Sequence, residues 1–593
     1  MNTIANQRIS ALRELMASRN INATIIPQTD PHQSEYLGAH WQVRRWFSGF
    51  TGSAGTLVVT RDKALLWVDS RYFIQATAQV DGSEIGIMKI AMPGTPTINE
   101  YLTTNLRGGD TVGLDGMLFS SSEIDKMKRE FKPHGIKIAT DFDPADGLWN
   151  DRPALPDAPV IIHDTKYAGE SAESKLVSLR KFIADNKADA MLISALDELA
   201  WALNIRSRDV RCNPVATAYL LVGSNDATLF INPDKITDEV ATYLSSLGIA
   251  IAPYDSLSTS LAKSAYPVVA IDPATTSARV IEILNERAKQ VTSPITLNKA
   301  VKNEIQIQGI RQAMVRDGVA LVKGFMEIER RVKAGERITE ITVSEILKHH
   351  RSERDLFFDE SFDTIAGYGS HGAIVHYSAT PETDVPVGTS SLLLVDSGAQ
   401  YLDGTTDITR TIIIGEPSEA QRRHFTLVLK GNIDLVSAIF PQGTRGTQLD
   451  ALAHLPLWKA GLNYMHGTGH GVGHFLNVHE GPHSIRTNEM PTPLEPGMIV
   501  TDEPGLYLEG EYGIRCENTL LVVPAMHTDM GQFYGFESLT LFPFDRKLVD
   551  TAILDYNELN WLNNYHHRVY TILAPHLDET EREWLRQQTA PIN

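Results

Sequence analysis

Cysteine is nearly absent. The chain carries two, Cys212 and Cys516, in 593 residues, too few for a disulfide framework and in keeping with a reducing compartment. Long apolar runs are missing as well: no uninterrupted stretch approaches the roughly 18 residues that cross a bilayer. The opening MNTIANQRISALRELMASRN reads as an amphipathic helix with Arg8, Arg13 and Glu14, not as a charged start followed by an apolar core. No membrane partner is therefore expected, and the expected location is cytoplasmic. Basic residues are outnumbered: 54 Lys and Arg against 73 Asp and Glu leave a net charge of −19. That argues against a nucleic-acid partner, because phosphate backbones are bound through a basic footprint. Low-complexity tracts and long charge runs are also lacking.

What is present is ordinary globular material, 42% hydrophobic and 21% charged. It is too long for one core and implies about three domains. An internal repeat supports this. Leu12-Arg13-Glu14-Leu15-Met16-Ala17 followed by Ala23-Thr24-Ile25-Ile26 recurs as Leu179-Arg180-Lys181-Phe182-Ile183-Ala184 followed by Ala190-Met191-Leu192-Ile193, at a constant offset of 167. The same offset carries Asp30 onto Asp197. Each copy reads as a helix, a turn and a buried strand, with further strands expected at 56–60 and 64–69, then at 218–223 and 227–232. The prolines of Arg152-Pro153-Ala154-Leu155-Pro156-Asp157-Ala158-Pro159 mark a linker. A strand-like stretch over 296–303 is expected to give way to a long helix over 304–334, with Ile310, Met314, Val319, Leu321 and Phe325 facing inward. The resulting division is 1–155, 156–300 and 301–593, the last ending in a helical extension with Trp561 and Tyr565 suited to packing.

Chemistry concentrates in the last third. Asp396 and Asp407 lie in VDSGAQYLDGTTDITRT, His470 in HGTGHGVGH, Glu503 in VTDEPG and Glu517 in YGIRCENT. Buried carboxylates without partners are costly, whereas four of them with one imidazole suit two divalent cations, and hard oxygen donors favour Mn²⁺ over softer metals. The 391–401 strand, a turn at Asp403-Gly404 and a returning strand would let Asp396 and Asp407 face one another across a hairpin. A single strand over 513–523 would put Arg515 and Glu517 on one face and Cys516 on the other. The glycines around His470 permit close backbone approach and positive φ. Without cations the crowded carboxyl groups would titrate high. Two metals relieve that repulsion and hold a bridging hydroxide at neutral pH.

These segments resemble those of the pita-bread metallopeptidases, which include methionine aminopeptidase, prolidase, creatinase and aminopeptidase P. With SGFTGSAGT and VDSRYF near the start and WLNNYH near the end, the whole chain is most similar to the three-domain, eukaryotic cytosolic-type aminopeptidase P (Xaa-Pro aminopeptidase) family. The resemblance implies an α/β (α+β) fold: two duplicated creatinase-like α/β domains ahead of a pita-bread catalytic domain. It implies hydrolysis of the N-terminal Xaa-Pro bond of peptides with proline second, through a metal-bridging hydroxide. Asp396 would bind one metal, His470 and Glu503 the other, and Asp407 and Glu517 both; Mn²⁺ is expected, with Zn²⁺ or Co²⁺ possible in preparations. Glu503 would also take the proton of the attacking water. His376 and His479 would contact the scissile carbonyl, His466 would hold substrate beyond it, and Arg515 would orient a carboxylate. A homodimer is implied, with the N-terminal domains limiting peptide length.

Other readings are weaker. His479-Glu480-Gly481-Pro482-His483 spells a zincin motif, but Gly481 and Pro482 break the helix that motif requires. The glycine-rich loop lacks the lysine and spacing of a phosphate loop. His371 and His474 read as supporting residues, His424, His454 and His483 as surface or capping residues, and Cys516 as inert core. A prolidase-type dipeptidase shares the chemistry but needs a shorter chain, and a methionine aminopeptidase needs little beyond the last domain. Creatinase works without metals, and a non-catalytic binding module would not keep five ligands.

Overall fold

The computed structural model describes residues 3–593 and divides into two compact units, Met1–Asp164 with Glu170–Ile295, and Thr165–Gly169 with Thr296–Asn593. The first unit contains two six-stranded sheets of one topology. In the first, the buried strand Ala23–Ile26 pairs antiparallel with Thr56–Thr60 and parallel with Thr111–Gly113. Beyond these lie Ala64–Val68, Ile85–Lys89 and, on the other side, Lys137–Ala139. The second repeats the plan around Ala190–Ile193, which pairs antiparallel with Ala218–Gly223 and parallel with Val269–Ile271; Ala227–Ile231, Ile249–Ala252 and Ala288–Gln290 complete it. The 167-residue repeat is thus a structural duplication. Its aspartates diverge: Asp30 is buried and accepts the His32 and Ser34 amides, whereas Asp197 sits in the first turn of the helix Leu196–Leu203.

The expected strand-like stretch over 296–303 falls largely in a helix, Pro294–Ala300; Pro294 at its first position needs no intrahelical donor. In the second unit the long helix runs Glu304–Lys333, opened by a capping box between Asn303 and Gln306. Ile310, Met314, Val319, Leu321 and Phe325 are all buried in the main core. Two helices followed by antiparallel strands occur twice here: Glu304–Lys333 and Glu340–Ser352 before one set, Glu419–Val436 and Gly446–Lys459 before the other. The C-terminal extension is helical, as expected, with Tyr556–Leu573 and Glu579–Gln588. Trp561 stacks on Tyr565 at 5.2 Å.

Two strands expected to be continuous are broken. The 391–401 segment is Leu393–Ser397 and Ala399–Tyr401 in different three-stranded sheets. The break falls at Gly398, where a Cβ would lie 2.0 Å from the Thr406 carbonyl. The 513–523 segment divides into Tyr512–Arg515 and Asn518–Thr528, leaving Glu517 at the junction.

Candidate metal centre

Strand pairing brings the acidic residues together. Leu393–Ser397 and Ile408–Ile412 run antiparallel with Asp396 opposite Thr409. Asp407 precedes the second strand by one residue and shares the face of Thr409, so the two aspartates meet diagonally. The Glu517 amide donates to the Thr409 carbonyl at 3.2 Å, and the Thr409 hydroxyl donates to Glu517 Oε2 at 2.7 Å. Glu503 follows the strand Ile499–Asp502 and its amide donates to the Thr468 carbonyl. His470 lies in a short strand, Gly469–Gly471, not in a loop. Its Nδ1 donates to the Gly471 carbonyl at 2.9 Å, which directs Nε2 toward Asp407 Oδ2 (3.5 Å) and Glu503 Oε1 (3.7 Å). The expected positive φ is not found at Gly467, Gly469, Gly471 or Gly473. Close approach is what the tightest of them provide: a Cβ would sit 1.8 Å from the Thr501 carbonyl at Gly469 and 2.3 Å from the Glu480 carbonyl at Gly471.

The donors fit divalent cations. Asp407, His470 and Glu517 place one ligand atom each within 4.8 Å of one another. Asp396 gives Oδ2 to Arg515 at 2.7 Å, while its Oδ1 is buried with no hydrogen-bond partner, a costly arrangement that a cation would relieve. Burial, then the charge of Asp396, pushes the Asp407 carboxyl well above the usual range. Glu517 is raised by burial and by Asp407 and Asp396, and burial lifts Glu503 to about 7 against the pull of His470 and Arg515. Crowded acids that resist ionisation are the counterpart of missing positive charge.

Arg515 ties the centre to its surroundings. Its Nη2 donates to Asp396, Nε to the Thr409 hydroxyl at 3.1 Å and Nη1 to the Tyr507 hydroxyl at 2.7 Å. Burial opposes its charge, but Tyr507, Asp396 and Glu503 more than offset this. Tyr507 in turn lies 2.8 Å from His466 Nε2, and His466 Nδ1 bonds the Gly467 carbonyl. A hydrogen-bonded path therefore links Asp396 to His466. The His479 ring packs edge-on against His470 with centroids 4.3 Å apart. His376 is half-buried, between Val375, whose carbonyl accepts from Arg515, and Tyr377, whose hydroxyl bonds Glu340 at 2.8 Å.

His371 is a supporting residue, with Nδ1 at 2.9 and 3.0 Å from the buried Glu340 carboxylate. His424 is half-buried and bonds the Tyr512 hydroxyl. His454 and His483 are not surface residues but buried ones. His454 stacks on Tyr464 at 3.9 Å, and His483 donates from Nε2 to the Ile499 carbonyl at 2.7 Å, with burial lowering it to about 4. Cys516 is core, its thiol pushed up to about 12 by burial. Glu480–Ile485 is a strand, so the zincin string has no helix. Sequence reading missed Tyr507 and Thr409. Tyr507 was signalled by Gly505, two residues before it in the Gly505–Leu508 strand, where a Cβ would lie 2.4 Å from the Tyr507 hydroxyl oxygen, so that its absence leaves room for the phenol.

A buried, oxygen-rich donor set with one imidazole, carried on paired strands, defines a metal-dependent hydrolase. Residues 308–524 match metallopeptidase family M24, 8–146 and 151–306 each match the creatinase/prolidase N-terminal domain, and 532–592 match the C-terminal region of peptidase M24. The chain belongs to metallopeptidase family M24: two creatinase-type α/β domains ahead of a pita-bread catalytic domain. It is 41% identical to aminopeptidase P2 of Arabidopsis thaliana, over 99% of this chain and 89% of the relative. It is 38% identical to aminopeptidase P1 of Lotus japonicus, over 98% and 99%. Among solved structures, an X-prolyl aminopeptidase from Caenorhabditis elegans, described as a cytosolic enzyme with a di-nuclear active site, is 36% identical. It superposes with a TM-score of 0.96 over 99% of this chain and 100% of its own. A Xaa-Pro dipeptidase from Bacillus anthracis, 23% identical, shares the fold over 63% of this chain (TM-score 0.50).

Proposed function

We propose that the chain is a Xaa-Pro aminopeptidase, releasing the first residue from peptides with proline second. The observation that carries this reading is likeness along the full chain, both N-terminal domains included, to an X-prolyl aminopeptidase with a di-nuclear site; the dipeptidase fold accounts for only 63% of the chain. In this reading the chain divides at 1–155, 156–300 and 301–593.

Asp396, Asp407, His470, Glu503 and Glu517 would hold two divalent cations, with Asp407 and Glu517 shared between them, and oxygen-rich donors favour Mn²⁺. When bound, such a pair supplies Lewis acidity and a nucleophilic hydroxide at neutral pH. The chain's own residues do the rest. Glu503 takes the proton of the attacking water on a carboxylate oxygen. Its side chain is 19% exposed, against 11% for Asp396 and 5% for Asp407, so it is the best placed of the three to exchange protons. His479, braced on His470, and His376 donate to the carbonyl oxygen as charge develops there. Both nitrogens of His466 are engaged by Gly467 and Tyr507, so it meets substrate through its ring face or by exchanging the Tyr507 bond. Arg515 fixes Asp396.

Hydrolysis of Arg-Pro-Pro, Gly-Pro and Met-Ala-Ser by the Mn²⁺-loaded protein tests the reading. Cleavage of the tripeptide Arg-Pro-Pro with Met-Ala-Ser intact supports it; Gly-Pro as sole substrate would make the protein a dipeptidase, and cleavage of Met-Ala-Ser alone would reject proline specificity. Metal analysis should find about two ions per chain. The protein is further read as cytoplasmic, supported by its likeness to the cytosolic relative, and as a homodimer. A light-scattering mass near the single-chain 65.6 kDa at micromolar concentration would reject the dimer.

A further inference from the structure

The string that fails as a zincin motif contributes Glu480 to a buried charge cluster that the proposed chemistry does not use. Glu480 is enclosed between two lysines: Lys299 Nζ donates to Oε2 at 2.9 Å and Lys302 Nζ to Oε1 at 2.5 Å, with the three side chains 3%, 0% and 1% exposed for Lys299, Lys302 and Glu480. Lys302 Nζ also donates to the carbonyls of Lys299 and Ala300, so the segment bearing both ammonium groups is tied to itself. A buried cluster of two cations and one anion is a poor way to gain stability, because desolvation consumes the Coulomb attraction and apolar residues of similar size serve as well or better. Its placement suggests another use. Glu480 is the residue after His479, and its backbone pairs with Gly471, the residue after His470. His483, on the same strand, is tethered to the Ile499 carbonyl. The chain on the C-terminal side of His479 is thus held by side chain and backbone together, at the point where the His479 ring packs edge-on against His470.

We propose that Glu480, gripped by Lys299 and Lys302, is a positioning residue that locks His479 against His470 in the orientation that meets the scissile carbonyl oxygen. This rests on the role proposed above for His479. Because a displacement of about 1 Å can cost roughly 100-fold in rate, a clamp of this kind acts on turnover and leaves substrate affinity largely alone. The grip is electrostatic as well as geometric: an amide at position 480 would keep the shape but leave two buried ammonium groups without their counter-charge.

The test compares wild type, K299M/K302M/E480M, His479→Ala and the combination of all four substitutions. The Mn²⁺-loaded enzymes are assayed on Arg-Pro-Pro, with metal stoichiometry and Tm recorded. The apolar triple variant is expected to keep its metal and its Tm, to lose about 10- to 100-fold in kcat, and to hold KM within about twofold. Lys302→Arg, which keeps charge and donors, is expected to keep kcat. The combined variant is expected to be no slower than His479→Ala, since a clamp that acts through an absent ring has nothing to position. If the triple variant turns over at the wild-type rate while His479→Ala is impaired, the clamp is refuted and the role of His479 stands. Multiplying losses in the combined variant, or a loss confined to KM, would refute it equally. Full activity in His479→Ala would overturn the His479 role and the clamp with it. Should the triple variant fail to fold, Lys302→Met, which leaves the Lys299–Glu480 pair balanced, reports the same kcat and KM split.

Discussion

Replacing Gly469 by alanine should disable the centre without touching a ligand. The added Cβ would lie 1.8 Å from the Thr501 carbonyl oxygen and 2.7 Å from its carbon. Both are backbone atoms of the strand that leads to Glu503, so no side chain can swing aside. Restoring even a tight 3.0 Å contact requires the two strands to part by about 1.2 Å, the difference between 3.0 and 1.8 Å. His470 is the next residue, and its amide donates to the Thr501 hydroxyl across the same gap. Metal–ligand bonds of about 2.0–2.2 Å tolerate errors of only about 0.2 Å, so the imidazole would leave coordination range. The expected cost is about 1–3 kcal/mol of stability from overpacking and at least a 100-fold loss in kcat/KM, with weaker Mn²⁺ binding by calorimetry. Gly467→Ala is the control, because its Cβ would meet nothing closer than 3.4 Å. Unchanged Mn²⁺ affinity together with wild-type turnover in Gly469→Ala would refute the close-approach argument.

Thr409→Val keeps the shape but removes the hydroxyl that donates to Glu517 and accepts from Arg515; Mn²⁺ affinity should fall about 10- to 100-fold, and an unchanged titration would sink that role. In chelated protein, Glu503 holds its proton up to about 7 against a usual 4.5. Because the folded state binds the extra proton, this stabilisation is complete below about pH 4.5 and lost as pH rises through 7. The loss is on the order of 3 kcal/mol, and Asp407 and Glu517 act in the same direction. The gap in Tm between Mn²⁺-loaded and chelated protein should therefore widen from pH 5 to 8; a narrowing gap contradicts the reasoning. Cys516 should resist iodoacetamide in native protein at pH 8 and react after unfolding, read by peptide mass spectrometry, because its thiol is buried and raised to about 12; rapid native labelling would contradict its core placement.

The five proposed ligands were legible because each stands in a short segment of distinctive composition, and the duplicated sheets because two helix–strand units recur at one spacing. What composition did not reveal was interruption and register. The apolar run over 391–401 looks uniform, yet Gly398 meets the Thr406 carbonyl so closely that the strand divides there. His483 reads in sequence as a surface or capping residue but is buried on a strand and reaches the Ile499 carbonyl. The glycines around His470 announced a special backbone; their use is room between strands, not reversed dihedral angles. Thr409 and Tyr507 have no acidic or imidazole chemistry to attract notice, and only pairing shows that they bridge groups that do.

Arg410 follows Thr409 on the strand beside the centre and is fully enclosed. Its guanidinium donates to the backbone carbonyl of Glu517, to the carbonyls of Phe542 and Pro543, and to the hydroxyl of Tyr565 in the helix Tyr556–Leu573. The carboxylate-bearing strands thus share one buried cation with nearly the last helix of the chain. A nascent polypeptide would have all five proposed ligands outside the ribosome before that helix emerges, while Arg410 still lacked its cover. Completion of the proposed centre would then come late in synthesis, and a chain released before that helix would carry all five proposed ligands with Arg410 still uncovered.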